Sequence, residues 1–575
     1  MTRRSAARRA IAPEADALRV GCGWSEDDTN QPWVLIEATA GDSHPCSSHL
    51  EALSKDVERG VVTTGGSPAH YRCTDICDGI AQGSPGMDYS LASREVIAMA
   101  CEMHAQAGHF DGVAFLPGGD KAVPAHLIAA VRLDLPAIVV PGGVMDSGPD
   151  GMTLEGVGAA AAQLARGELD APAFRRLQMS VCPSAGTCAF FGTGATMQLL
   201  CEGLGLALPG AALIPAHLNA LRQNAREAGR QLMALIDAGL TPRRIVTDAA
   251  IHNALALHAA CGGSTNALLH LAALAREAGL AFSYEAVNAI NREVPFLLNV
   301  KPSGRFNANV LWKAGGAYRV FQEIRPWLRL DAMTVTGRTL GDNLDALQAA
   351  GYFQAQAALL ANHGLRPEEV IACRDAPLRP CGGLLALFGT LAPEGAVMKT
   401  SALPESMRRF AGRARVFDAS ADALAAIHSG AIQPGDAVII RYEGPAASGM
   451  PEQFYVTEAI ASHPRLCESV ALMTDGRFSG ASRGPVIGHV APEAMRGGPI
   501  ALIEDGDGVA FDRDAGSLHI IGVGSLESSH ERVAQALAQR RARWTPPPAR
   551  HRGGLLGAYA RWALSAPEGG GLSTF

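Results

Sequence analysis

Four short segments rich in glycine and polar side chains interrupt an Ala/Leu-rich background. The first is Thr74-Asp75-Ile76-Cys77-Asp78-Gly79-Ile80, followed by Gly83-Ser84-Pro85-Gly86 and Ser93-Arg94-Glu95. The second is Pro117-Gly118-Gly119-Asp120-Lys121, directly after an apolar run. The third, Cys182-Pro183-Ser184-Ala185-Gly186-Thr187-Cys188, runs into Gly192-Thr193-Gly194. The fourth pairs Gly449-Met450-Pro451-Glu452 with Asp475-Gly476-Arg477-Phe478-Ser479-Gly480. Singly, each reads as a tight turn, since Asp-Gly and Gly-Gly pairs make turns in every large enzyme. Asp120 reads equally as a helix N-cap and Ser479 as a turn residue. Together they offer two ligand chemistries. Asp78, Asp120 and Glu452 are hard oxygen donors of the kind Mg²⁺ prefers. The cysteines are soft donors for iron or zinc, or else small buried hydrophobes. Both donor types on glycine-rich loops predict a hybrid metal site.

Other readings fit less well. Cys182 and Cys188 are too far apart for a paired-Cys zinc knuckle, and Cys73 with Cys77 has no second half at a diagnostic spacing. There is no Walker A sequence and no Gly-x-Gly-x-x-Gly after a strand. Only five of the 49 cationic residues are lysines, namely Lys55, Lys121, Lys301, Lys313 and Lys399. In so arginine-rich a chain, a surviving lysine invites attention for amine chemistry, which a guanidinium cannot supply.

The elements that must position these residues change character along the chain. Gly112–Leu116 and Pro136–Val140 are apolar runs ending in glycine-rich turns, with a helical pattern over Pro124–Leu133 between them. That strand–helix–strand order predicts a parallel α/β sheet with ligands at its strand ends. Helical spacing continues from about 195 to 279, through Arg222–Leu240 and Asp248–Ala278. Beyond Ala376 the texture is short β-type runs, such as Ala437–Ile440 and Leu518–Ile521, among glycine-rich turns. The expected organisation is an α/β domain over 1–376 and a smaller β-rich domain over 377–575.

Composition limits the function class. The chain has 575 residues, 48% of them apolar and 18% charged, as in compact folded enzymes. A net charge of −7 provides no basic field for nucleic acid or an anionic membrane. No apolar run reaches the ~18–20 residues of a bilayer span. The basic opening Met1-Thr2-Arg3-Arg4 has no apolar stretch after it, so a secretory signal is not expected. Twelve cysteines scattered at no repeating interval are no secreted disulfide framework. The expected compartment is the cytoplasm.

These segments resemble the dihydroxy-acid and sugar-acid dehydratases, a family that includes 6-phosphogluconate dehydratase. The resemblance extends to Gly41-Asp42-Ser43-His44-Pro45-Cys46, Gly262-Gly263-Ser264-Thr265-Asn266, Leu391-Ala392-Pro393-Glu394-Gly395 and Gly488-His489-Val490-Ala491-Pro492-Glu493-Ala494. It implies a homodimer, or a dimer of dimers, of two-domain subunits, with a barrel like the swivelling domain of aconitase as the second domain. It implies removal of water from a 2,3-dihydroxy acid to give a 2-oxo-3-deoxy acid, at a site joining Mg²⁺ to an iron–sulfur cluster. By motif, Asp78, Asp120, Glu452 and a carbamate on Lys121 would hold Mg²⁺, and Ser479 would be the base. The cluster cysteines would be Cys46, position 119 and Cys188. Position 119 is glycine, which has no side chain to bind iron. Cys77, Cys182 or a non-protein ligand then substitutes, or the cluster is labile or absent. A left-handed backbone at Gly119 is an added expectation, one that would strain a cysteine there.

Cys182–Gly194, Thr334-Val335-Thr336-Gly337 and the Gly444–Glu452 loop look closer to xylonate-type aldonate dehydratases. The expected activity is therefore a sugar-acid hydro-lyase. The alternatives are dihydroxy-acid dehydration for branched-chain amino acids, a silent polyhydroxy-acid-binding paralogue, and an iron-free Mg²⁺ enzyme such as a C2 epimerase.

Overall fold

The computed structural model describes residues 3–73 and 75–573. Met1 and Thr2 of the basic opening, Thr74 of the first glycine-rich segment and the last two residues lie outside the described residues.

The first sheet has four parallel strands, β1 (Trp33–Ala38), β2 (Ser67–Arg72), β3 (Gly112–Leu116) and β4 (Ala137–Val139), in the order β2-β1-β3-β4. Every residue of β1, β3 and β4 is buried, the pattern of a parallel sheet covered on both faces. The expected strands at 112–116 and 136–140 are present, and the helix between them is Ala122–Leu133. The long helical region divides into Thr193–Gly203, Asn219–Ala238, Asp248–Cys261 and Asn266–Ala278. Gly262, in the left-handed region at φ 56°, ends the third of these and turns the chain into the fourth.

The second sheet has eight strands: β5 (Leu385–Leu387), β6 (Gly395–Met398), β7 (Arg409–Phe417), β8 (Asp436–Ile440), β9 (Ala471–Thr474), β10 (Val486–Ala491), β11 (Gly508–Asp512) and β12 (Ser517–Gly522). Their order is β12-β11-β7-β8-β9-β10-β6-β5. Phe388, just past β5, bridges to Ser517 on β12, so the two edges meet and the sheet is nearly closed into a barrel. Alternation along the strands sorts the side chains. Ala437 and Ile439 face one core with Met473 and Ile487, while Val438 and Ile440 face a second one under helices Ser420–His428 and Phe454–Ala461. Those helices make the crossovers of the parallel run β7-β8-β9. The C-terminal half thus contains βαβ units as well as hairpins. Its sequence showed the short strands but not their direction, which depends on pairing between distant segments.

The halves are sewn together. Asn288, on helix Tyr284–Glu293, exchanges two hydrogen bonds with the backbone of Ala386 at 2.8 and 2.9 Å. The tail helix Gly554–Trp562 buries Leu556 and Tyr559 against Leu91 and Leu269 of the first half and Met450 of the second. Among the described residues no helix is long and apolar enough to cross a membrane.

Candidate functional site

In open α/β sheets ligands gather beyond the carboxyl ends of parallel strands. Here two such ends face each other across one cleft. The loop after β1 brings Cys46, the loop after β2 Cys77 and Asp78, and the loop after β3 Gly119 and Asp120. From the other side, the connection after β8 brings Glu452 and the loop after β9 brings Ser479. The cleft encloses about 1100 Å³, its open mouth included.

Asp78, Asp120 and Glu452 each place a carboxylate oxygen within 4.8 Å of the others. Their surroundings explain the convergence. Lys121 Nζ, fully buried, donates to Asp78 Oδ2 at 2.6 Å. Ser90 Oγ lies 2.8–2.9 Å from both Asp78 oxygens and accepts from Arg477 Nη2 at 2.9 Å. Arg477, also fully buried, reaches Glu452 Oε1 at 3.3 Å. Asn266 Nδ2 donates to the same oxygen at 2.6 Å and Gln82 Nε2 to Oε2 at 2.9 Å. Burial works against the charge on Asp78, but the Lys121 and Arg477 cations outweigh it and hold this carboxyl below its usual range. Burial pushes Asp120 up to about 6. Glu452, raised by burial and by the negative Asp78, reaches about 7. Two buried carboxylates and the half-buried Asp120, facing two buried cations, leave a deficit of positive charge, and the donors are all oxygen. This set fits a divalent hard cation.

Glycines permit the approach of the loops. A Cβ on Gly194 would lie 2.7 Å from Asp120 Oδ1, and one on Gly118 would lie 2.1 Å from the Cys46 carbonyl oxygen. Gly480 touches Gly192, where its Cβ would fall 2.6 Å from Gly192 Cα. That contact sets Ser479 beside the N-terminus of helix Thr193–Gly203. Ser479 is half-buried, and its Oγ accepts the Ala481 N–H at 3.3 Å. Asp120 is not a helix cap, because Lys121 holds the cap position of Ala122–Leu133 and no side chain caps that helix.

The cysteines separate clearly. Cys46, Cys77 and Cys188 all line the cleft. Cys182 is exposed and is not part of its wall, and Cys73 packs against the core of the first half. Burial pushes the Cys46 and Cys188 thiols well up and Cys77 to about 11, so each stays protonated unless a metal displaces the proton. Three thiols lining one cleft, Cys46 buried and Cys77 and Cys188 half-buried, fit an iron–sulfur group. Gly119 does not have the left-handed backbone anticipated for it. Its backbone N–H instead donates to Asp75 Oδ2 at 3.2 Å, and it is this carboxylate that crowds the position.

Sequence reasoning missed Arg477, Ser90, Asn266 and Gln82 as parts of the site. Arg477 and Asn266 stand inside motifs quoted above, and a charged or amide side chain within a glycine-rich turn was the available signal. Ser90 and Gln82 had none.

The rest of the wall mixes apolar side chains with polar ones, Glu155, Gln178, Thr187 and Thr193 among them. Leu154 and Val157 come from the segment around helix Glu155–Ala165, with Phe174, Phe190 and Phe454 beside them.

A family model described as the dihydroxy-acid/6-phosphogluconate dehydratase N-terminal domain matches residues 31–343, and its C-terminal counterpart matches 369–570. A protein named dihydroxy-acid dehydratase from Caldanaerobacter subterraneus subsp. tengcongensis is 40% identical over 559 residues, covering 96% of both chains. One of the same name from Methanosarcina barkeri is 40% identical over 567 residues, covering 97% of both. Another, from Sulfurisphaera tokodaii, is 39% identical over 558 residues, covering 96% of this chain and 95% of its own. Matched in order through both halves, the chain is a hydro-lyase of the dihydroxy-acid/6-phosphogluconate dehydratase family.

Proposed function

We propose that this enzyme dehydrates a 2,3-dihydroxy acid with a short, branched, apolar tail, giving the 2-oxo acid, rather than a sugar acid. The observation that carries this reading is the wall formed by Leu154, Val157, Phe174, Phe190 and Phe454. Against these five side chains a polyol tail would lose hydration, whereas an aliphatic tail gains about 25 cal/mol per Å² buried. Glu155 and Gln178, which also line the cleft, are the groups a polyol would have to use instead. The names of the relatives point the same way.

A divalent cation on Asp78, Asp120 and Glu452 would supply charge for the substrate carboxylate and C2 hydroxyl, and the cysteine-held group a Lewis acid for the C3 hydroxyl. Lys121 joins the first set, pairing with Asp78 as an ammonium or adding an oxygen donor as a carbamate. Arg477, Ser90 and Asn266 fix the carboxylates, so the donors are in place before substrate arrives. Ser479 Oγ, in its deprotonated form, takes the C2 proton and passes it to the C3 hydroxyl, which leaves as water. The resulting enol gives up its hydroxyl proton and takes one at C3 to become the 2-oxo acid. The Ala481 N–H, already directed at Oγ, stabilises it when deprotonated. We further propose that two subunits associate through helix Tyr89–Gly108, whose outer face exposes Val96, Met99 and Met103.

Steady-state assays with 2,3-dihydroxy-3-methylbutanoate and with xylonate test the substrate. The branched acid is expected to have a kcat/KM about tenfold or more higher, as the burial of two or three methyl groups implies. Ser479→Ala is expected to lower turnover of it by about 10²–10⁴-fold. A higher kcat/KM for xylonate would return the sugar-acid reading.

A further inference from the structure

Cys46, Cys77 and Cys188 come from three separate loops and all line the cleft, which no other cysteine lines. Gly119 lines it as well. A side chain there has no room, because a Cβ would sit 2.5 Å from Asp75 Oδ2 and 3.9 Å from Cys46 Cβ. The obstruction is a fixed group. Ser47 Oγ donates to Asp75 Oδ1 at 2.7 Å, His44 Nε2 lies 2.9 Å from the same oxygen, and the Gly119 N–H holds Oδ2. Asp75, His44 and Ser47 are all buried. Unlike Asp78, Asp120 and Glu452, Asp75 does not line the cleft and is not offered as a metal donor. It fills the volume into which a side chain at 119 would project.

We propose that Cys77 is the third protein thiolate of an iron–sulfur cluster held together with Cys46 and Cys188, and that the His44–Asp75–Ser47 group takes up the space vacated at position 119. Cys77 lies two residues beyond Asp75 and directly before Asp78, so the loop after β2 serves both halves of the site. Each thiol gives its proton to solvent as its Fe–S bond forms, and no redox step is involved. The existence of the cluster rests on the dehydratase reading of this cleft, but the identity of its third ligand does not.

The full chain, reconstituted anaerobically with ferric and ferrous iron and sulfide, is compared with Cys77→Ser, Cys46→Ser and Cys182→Ser. The measurements are iron and sulfide per chain, visible absorption and the electron paramagnetic resonance signal after dithionite. The parent and Cys182→Ser are expected to hold the cluster equally. Cys77→Ser and Cys46→Ser should fall about tenfold or more in retained iron and sulfide, with unchanged circular dichroism. A Cys77→Ser protein with parental iron and an unchanged spectrum overturns the proposal, as does a parent that takes up no iron. Should Cys77→Ser fail to fold, alkylation of the parent decides. Cys77 must resist iodoacetamide in the loaded protein and react once iron is chelated, and equal reactivity in both states overturns the idea. A Cys77-dependent cluster in a protein that dehydrates neither acid leaves this assignment standing and defeats the function. Dehydration by iron-free protein does the reverse.

Discussion

At the scale of single residues, one buried cation outside the acidic cluster is Lys399. It follows β6, is 3% exposed, and has Gly480 O, one residue beyond Ser479, as an acceptor at 3.3 Å. Among the described residues it forms no ion pair with a carboxylate. Burial alone brings its pKa down to about 7. In the unfolded chain the same amine titrates near ~10.4. Below pH 7 both states hold the proton, and the folded state bears the full cost of a buried charge. Between about 7 and 10 the folded state has released the proton while the unfolded state keeps it, so stability rises with pH across that window. Denaturant titrations of the parent and Lys399→Met should therefore diverge. The parent is expected to gain a few kcal/mol on the variant from pH 7 to 10. A difference that stays flat with pH would mean that the amine is not desolvated as described.

At the scale of elements, the approach of Ser479 to the rest of the site depends on two glycines meeting. Gly480 lies against Gly192 and the Thr193 N–H, with its Cβ direction 2.6 Å from Gly192 Cα and 2.9 Å from Thr193 N. Both obstacles are backbone, so neither can rotate away as a flexible side chain would. Gly480→Ala should push the loop after β9 off the N-terminus of helix Thr193–Gly203. Misplacement of a reacting group by about 1 Å costs roughly 10²-fold in rate. The same overpacking should cost about 1–3 kcal/mol of stability. Turnover within twofold of the parent, at parental stability, would show that the two halves have slack at this contact.

At the scale of the whole molecule, helix Tyr89–Gly108 buries Leu91, Ala98, Cys101 and Ala105 and turns Val96, Met99 and Met103 outward at 40, 46 and 60% exposure. Their spacings of three and four place them on one face. An exposed apolar stripe of this kind marks an association surface. Light scattering after gel filtration should give a dimer or dimer of dimers for the parent. The double variant Met99→Asp, Met103→Asp should shift toward the monomer mass, because unpaired carboxylates in an apolar contact are costly. An unchanged mass would place any subunit contact elsewhere.

The sequence by itself determined the family, through ordered motifs running from Gly41 to Ala494, and also the parallel sheet around Gly112–Leu116. Local apolar runs and turn residues are properties of neighbours in the chain, and they survive translation into structure. Asp78, Asp120 and Glu452 were legible for the same reason, since a carboxylate in a glycine-rich loop is visible one residue at a time. Only the tertiary structure decided what surrounds them. Arg477 and Ser90 bridge Glu452 to Asp78 across hundreds of residues. The glycine at 119 looked like a simple loss in the sequence. In the fold it faces Asp75, 44 residues away in the chain, with Cys77 lining the same cleft. The proposed substrate preference draws on the same contrast, because the aldonate-like motifs are local stretches of sequence. The apolar side chains Leu154, Phe174 and Phe190 come from separate segments of the first half and Phe454 from the second, and only the folded chain brings them to one cleft.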